Sequence, residues 1–310
     1  MSLKTGLAAA VKFGIFALTA VAAFGSNNQS WVSVSGSDAN PCTQAQPCRT
    51  FAAAYTATST GGILRPMNAG DFGPLSISKS ITVDGGGLAL IEGESGTLVS
   101  IGGVGVTVTV RNLTLHTNSA QAIGGAPTGG GVFFSAPVIN LENITINTVG
   151  APSIAVSING TSGTLVHMKN ILLTGGFSDG ILISAAAGST SPVQVELEGL
   201  DVRQATGSGL DLIDCTGIVR DSAFAGNSTA GLQFEGTLAN LTLAIEHTEM
   251  SFNTSYGLWA STGTIRLSNS TITGNNTGII GSGTVISFRN NWIAGNSISD
   301  GAPALATSLR

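Results

Sequence analysis

The sequence predicts an all-β chain wound as a parallel β-helix of three-strand coils. Three observations carry that expectation. Residues 265–296 say nearly the same thing twice: Asn269 is followed six residues later by Asn275, and Asn290 by Asn296, in copies 21 residues apart. Further copies can be placed at Asn112, Asn143, Asn170, Gly199, Asp221 and His247, and the spacings vary between 21 and 31 residues. A period of this size marks a stacked repeat, and the variation puts tolerated insertions in one loop of each coil. The composition agrees. Gly supplies 43 of 310 residues and charged side chains 9%, as short strands and tight turns require, while 42% hydrophobic residues exclude a disordered chain.

Residues 1–23 read as a signal peptide. Lys4 and Lys12 flank a start that runs into FGIFALTAVAA, and Ala20-Val21-Ala22 offers a small-x-small cleavage site. The run is short for a membrane span, although an uncleaved anchor is the alternative. No later stretch is long enough to cross a bilayer, so no span is expected after its removal. The formal net charge is −5, and losing the two lysines makes the chain more acidic still. There is no basic patch, which argues against nucleic acid as a partner.

Residues 24–76 form an N-terminal region. Residues 31–34 read as the first strand. Cys42 and Cys48 bracket the loop NPCTQAQPC, for which a local disulfide is the natural reading in an exported chain. Zinc is the alternative, but no second pair of ligands lies nearby. Cys215 is left over, a buried thiol rather than a nucleophile. Residues 50–59 are the one plausible helix. Thr50 can cap it, Phe51, Ala54 and Tyr55 share a face, and Gly61-Gly62 can end it. Its expected role is to cover the open edge of the first coil.

The coils occupy residues 77–296, about nine or ten of them, rising about 4.8 Å each to a rod of roughly 45 Å. Lys79 or Ser80 should stand near the first turn. Residues 88–105 are Gly-rich and make one or two irregular coils, and residues 121–131 are a Gly-rich insertion. Residues 297–310 leave the pattern as a C-terminal tail. No break in composition divides the repeats, so they read as one domain.

The columns of the repeat define the coil. Two residues before the register Asn stand Val110, Leu141, Met168, Leu197, Val219, Ile245, Leu267 and Phe288. Three after it stand Leu115, Ile146, Leu173, Val202, Phe224, Met250, Ile272 and Ile293. Four before it, Gly217 interrupts an otherwise apolar column that ends with Ile265 and Ile286. Alternation on both sides means two short strands with one face buried. Between them the register residue is Asn, Gly, Asp or His, the types most often found at positive φ, which predicts a left-handed turn with a ladder of stacked amides. One before it runs a largely sign-alternating column, Arg111, Glu142, Lys169, Glu198, Arg220 and Glu246, suited to holding neighbouring coils in register. A third strand follows, its outward column read as Ala155, Leu182, Asp211, Gln233 and Trp259.

This coil, with its Asn-rich tight turn, resembles the right-handed parallel β-helix of the pectin-lyase-like superfamily. The N-terminal run WVSVSGSDANPCTQAQPCRTFAAAYTATSTGG, followed by FGPLSISKSITVDGGG, resembles the start of secreted bacterial β-helix repeat proteins. The resemblance implies a right-handed helix in a secreted, periplasmic or cell-surface setting. It also directs attention to the outer face of one sheet, where enzymes of the superfamily work.

On that face Asp211, Gln233 and Trp259 should stand about 4.8 Å apart as a strip of carboxylate, amide and indole. Such a strip suits sugar, the ring stacking on the sugar face and the polar groups taking hydroxyls. Asp179 and Tyr256 border it. The alternative is ordinary solvent-facing side chains. A hydrolase needs paired carboxylates, and Asp211 with Glu235 would be about 8 Å apart, in the inverting range. A calcium-dependent lyase, which the resemblance also raises, needs clustered Asp and a nearby base. The column offers one Asp, with Asp201 and Arg203 in a loop leading to it, and calcium enters only under that reading. His116, His167 and His247 fall in different columns without metal or triad spacing. Asn143, Asn240 and Asn253 head Asn-x-Ser/Thr triplets that follow from Asn turns beside Thr-rich strands.

Three functions remain open. The leading one is non-catalytic binding of a polysaccharide or cell-surface glycan along one sheet. The second is a carbohydrate-active enzyme with Asp211 and Glu235 as the catalytic candidates, and the third a structural or adhesive rod.

Overall fold

A computed structural model describes residues 27–94, 96–103, 105–117, 121–124, 138–148, 154–303 and 305–307. The expected signal segment and residues 125–131 of the expected insertion lie outside the described residues. Gln121–Gly124 is a strand. Among the described residues the strands form two parallel sheets, one of 17 strands and one of nine. Nine strands at about 4.8 Å spacing give a sheet roughly 40 Å long.

The apolar columns set the stacking. Val110, Leu141, Met168, Leu197, Val219, Ile245 and Leu267 pair in succession, and so do Leu115, Ile146, Leu173, Val202, Phe224, Met250, Ile272 and Ile293. All but Ile293 are buried. Burying each such side chain stabilises the fold by roughly 1.5–3 kcal/mol. Seven of the eight register residues adopt positive φ, from 46° at His247 to 66° at Gly199.

The eighth, Asn290, does not, because the strand before it is set one residue out of the expected frame, while Ile272 still pairs with Ile293 after the turn. Leu267 pairs with Ser287 rather than Phe288, and Ile265 with Val285 rather than Ile286. Val285 and Ile286 are both apolar, so either could face in. Asn291 stabilises the observed choice, donating from Nδ2 to Leu267 O (2.7 Å), Phe288 O (2.7 Å) and Ser287 Oγ (2.9 Å). Leu305–Thr307 then adds a parallel strand on Ile286, Ser287 and Phe288.

The N-terminal end also departs from expectation. The parallel ladder starts ahead of Ile77, with Asn27–Val32 on Thr58–Pro66 and the latter on Ile81–Gly93. The helix is shorter than expected, Phe51–Ala57, capped by Thr50 Oγ1 accepting from Ala53 N (3.2 Å). It ends because the β-branched Thr58 turns its hydroxyl back to Ala54 O (2.6 Å) and enters a strand, well before Gly61. Lys79 lies in the bend between Leu75–Ile77 and Ile81–Gly93 rather than at the register turn, which falls beyond Asp84, where Gly86 has φ 58°. Its Nζ donates to Tyr55 O (2.8 Å) and Thr58 O (2.5 Å) at the helix C-terminus. Phe51 and Ala54 are buried, and the Phe51 ring meets Phe72 at 5.3 Å. Cys42 and Cys48 form a disulfide that closes the loop beside the first strand.

Two amide ladders run along the rod. The expected one is solvent-facing: Asp84 accepts from Asn112 Nδ2 (2.8 Å), Asn112 from Asn143 (3.0 Å), and Asn143 from Asn170 (2.9 Å), until Gly199 interrupts it. Beside it Glu198 is clasped by Lys169 (2.9 Å) and Arg220 (2.6 Å), which hold its carboxyl below the usual range. Such exposed pairs contribute little to stability.

The second ladder is buried except at its half-buried last amide, Asn296, and only its last two members were apparent from the repeat. Asn227, Asn253, Asn275 and Asn296 each stand six residues after a register residue. Each Nδ2 donates to the next side-chain oxygen at 2.9–3.1 Å, and Asp300 terminates the chain of bonds. Each oxygen also accepts the backbone N–H of the preceding member. A Cβ on Gly209, Gly231, Gly257 or Gly278 would lie 2.7–2.8 Å from the Nδ2 of Asn227, Asn253, Asn275 or Asn296. The Gly column of the third strand is therefore required by the close approach of this ladder.

Candidate functional site on the nine-stranded sheet

The site is assembled by the pairing of three short strands. Leu210–Ile213, Ala230–Glu235 and Tyr256–Ala260 stack in register, so that Asp211, Gln233 and Trp259 occupy successive rungs. Their neighbours Leu210, Leu212, Leu232, Phe234 and Leu258 point inward and are fully buried, which fixes the three on the opposite face. Leu182 continues the column below Asp211. Ala155 does not belong to it. Ser157 pairs with Leu182, and Ala155 is buried ahead of the strand. The parity of the alternation is as expected, but the frame differs by two residues.

The bordering residues lock the strip. Asp179 accepts the backbone N–H of Ser208 (2.8 Å). Ser208 is itself buried and donates its hydroxyl to Gln233 Oε1 (3.2 Å), which orients that amide. The Tyr256 and Trp259 rings meet edge to face, centroids 5.4 Å apart. Glu235 lies opposite Ile213, one rung up and two residues along from Asp211, or roughly 8 Å in the strand lattice.

Asp211 is the unusual group. Its Oδ1 is buried without a hydrogen-bond partner. Burial, then the charges of Glu235 and Asp179, push its pKa up to about 7. The carboxyl thus keeps its proton close to neutrality and can donate a hydrogen bond or a proton, which an ordinary aspartate cannot.

No family model matches the sequence, and no curated protein matches it. Solved structures do. A pectate lyase, Pel9A, superposes with a TM-score of 0.56 over 85% of this chain and 78% of its own, at 13% identity. A rhamnogalacturonan lyase gives a TM-score of 0.51 over 80% of this chain and 75% of its own, at 14% identity. The chain is a right-handed parallel β-helix of pectin-lyase-like fold. Identity this low establishes architecture and leaves chemistry to the residues.

Within the pectin-lyase-like frame the other sequence candidates separate from the strip. Arg203 ends a strand of the 17-stranded sheet and is bound to Asp201 (2.6 Å), whose carboxylate raises its pKa. It is a paired cation rather than a free base. His116 and His167 also lie on the larger sheet, against Glu92 (3.3 Å) and Glu196 (2.9 Å), while His247 is a turn residue. Among the described residues no group of three or more His, Cys, Asp or Glu could hold a metal ion. Cys215 is buried, and its thiol points at Ile183 O (3.3 Å), with burial pushing its pKa well up. Asn253 is buried in the amide ladder and could not accept a glycan in the folded chain.

Sequence reasoning did not single out one further concavity. A groove of about 590 Å³ crosses the 17-stranded sheet, lined by His167, Lys169, Glu196, Glu198 and Arg220 among others. Most of its charges are engaged with one another, whereas Asp211 has a buried carboxyl oxygen with no partner, which makes the strip the better candidate.

Proposed function

We propose that the protein binds a glycan along the outer face of the nine-stranded sheet, at Asp211, Gln233 and Trp259 with Asp179 and Tyr256 at the borders. The supporting observation is the register that stacks carboxyl, oriented amide and indole on successive rungs, with the tyrosine edge-on to the indole. Aromatic faces take the apolar face of a sugar, and fixed polar groups take its hydroxyls. The solved neighbours named above are polysaccharide lyases, which is consistent with a carbohydrate partner. The reading invokes no metal. Titration calorimetry of the purified chain against a panel of oligosaccharides tests it. Binding that Trp259→Ala weakens about tenfold, and Trp292→Ala leaves unchanged, supports the strip. Binding indifferent to Trp259→Ala refutes it, and a chain that binds no sugar would be a spacer rod.

The protonated state of Asp211 favours a second reading, glycoside hydrolysis. There Asp211 would donate its proton to the leaving oxygen, and Glu235 would activate a water from the other side, at a separation suited to inversion. Reducing sugar released by the wild type and lost in both Asp211→Asn and Glu235→Gln is the result this reading requires. Export to the periplasm, the cell surface or the medium is part of the proposal. The Cys42–Cys48 disulfide fits an oxidising compartment, and no helix among the described residues is long and apolar enough to cross a membrane.

A further inference from the structure

The strip is acidic, and among the described residues no basic side chain on its face offsets that. Asp179, Asp211 and Glu235 lie close enough for the first and third to act on the second through their charge. None of the nine strands of this sheet contains Lys, Arg or His. Nor do the connectors on either side of it between residues 156 and 283, where the chain reads TSGT, GGFSDG, AAGSTSP, QATGSG, D, GNST, GTLANL, FNTS, STG, GNN and GSG. The basic residues of these coils, Lys169, Arg203, Arg220 and Arg266, are all strand residues of the other sheet. Arg203 comes nearest in sequence and is held by Asp201.

A polyuronate carries a carboxylate on every residue. Recognising one calls for a cation, from a side chain or a bound metal, aimed at each carboxylate. Here a uronate would meet carboxyl groups, and like charges brought together raise the free energy of the complex. We infer that the glycan bound on this strip carries no carboxylate, being neutral or amino-bearing. That sets the protein apart from a binder of pectate. The inference rests on the glycan-binding reading above and adds to it the chemical class of the ligand.

Three hexasaccharides of defined charge test it: β-1,4-linked glucosamine, its N-acetylated form and galacturonate. Each is titrated at low salt into the wild type, Trp259→Ala, Asp211→Asn and Glu235→Gln. The expected result is galacturonate weakest by at least about tenfold, and the gap over glucosamine narrowing at high salt. Glu235→Gln should narrow the same gap, while Asp211→Asn, replacing a carboxyl that largely keeps its proton near neutrality, should narrow it less and, by binding like the wild type otherwise, shows that a substituted strip still folds. Galacturonate binding as tightly as the others, and weakened by Trp259→Ala, would overturn the charge inference while leaving the strip intact. Binding of any hexasaccharide that Trp259→Ala does not alter, or no binding at all, would instead overturn the strip.

Discussion

Replacing Asn253 by Ala isolates the buried amide ladder. Asn253 is 1% exposed and makes four side-chain hydrogen bonds. Its Nδ2 donates to Asn275 Oδ1 (3.0 Å) and Phe224 O (3.1 Å), and its Oδ1 accepts from Asn227 N (2.9 Å) and Asn227 Nδ2 (3.1 Å). Its φ is not in the left-handed region, so Ala fits the backbone. Asn275 Oδ1 keeps the Asn253 backbone N–H (2.8 Å), and Asn227 Nδ2 keeps a long contact to Val202 O (3.4 Å). Two buried groups lose a partner, the Asn227 N–H and the Phe224 carbonyl. At about 1–2 kcal/mol for each, the variant should lose roughly 2–4 kcal/mol. Asn143→Gly is the control. Asn143 is exposed at φ 52°, Gly adopts that φ freely, and water replaces the lost amide bonds, so the change should stay within about 0.5 kcal/mol. Urea unfolding followed by circular dichroism gives both numbers. Hydrogen exchange locates the loss, because coils couple to their neighbours: protection should fall at Asn227 and the strand Ala230–Glu235 and hold at Val138–Thr148. An Asn253→Ala variant within about 1 kcal/mol of wild type, or an Asn143→Gly variant equally damaged, would refute the claim that the buried ladder carries the stabilisation.

Three other perturbations have defined outcomes. Asp211 holds a proton when folded that the unfolded chain releases, so stability should fall as pH rises from about 4 to about 7 and be flat above. Asp211→Asn should therefore be more stable than wild type by on the order of 2 kcal/mol at pH 8, with the advantage gone near pH 4. Phe252 sits at φ 54° with its side chain 69% exposed, an unfavourable conformation for a bulky residue. Phe252→Gly should raise stability in the same urea assay by about 1 kcal/mol despite losing its contact over Gly274. Removing the disulfide with Cys42→Ser and Cys48→Ser should cost about 2 kcal/mol, since the loop it closes is short. Reduction of the wild type should reproduce that loss.

Most of the fold was legible because a coil repeats its apolar residues at fixed offsets from a turn residue of restricted type. Where it failed, two frames were equally apolar. Val285 and Ile286 cannot be told apart by alternation, and the decision fell to Asn291, whose side chain satisfies two carbonyls and a hydroxyl. Ala155 was misplaced because Ile154, Val156 and Ile158 share one parity and differ only in frame. The buried ladder was present in the sequence as Asn six residues after Asp221 and His247. The residue before each member also takes positive φ, but Gly226, Phe252, Gly274 and Gly295 are too unlike to read as one column. On the sheet face, the order Asp211, Gln233, Trp259 followed from spacing alone. The trapped Asp211 oxygen did not: the strand lattice already set Glu235 near it and Asp179 at the border, but how deeply the carboxyl is buried depends on side-chain packing that spacing does not dictate.

The backbone bonds between coils run along the rod, and this decides how the protein yields to force. A pull on the last strand loads one rung at a time, so the rod should peel from its C-terminal end as a zip opens. His247 to Asn269 is 22 residues and Asn269 to Asn290 is 21. At about 3.3–3.6 Å per extended residue, each coil released would lengthen the tether by roughly 70–80 Å. The buried amides between Asp300 and Asn227 should make those first steps the most resistant, a brake placed at the end where peeling begins.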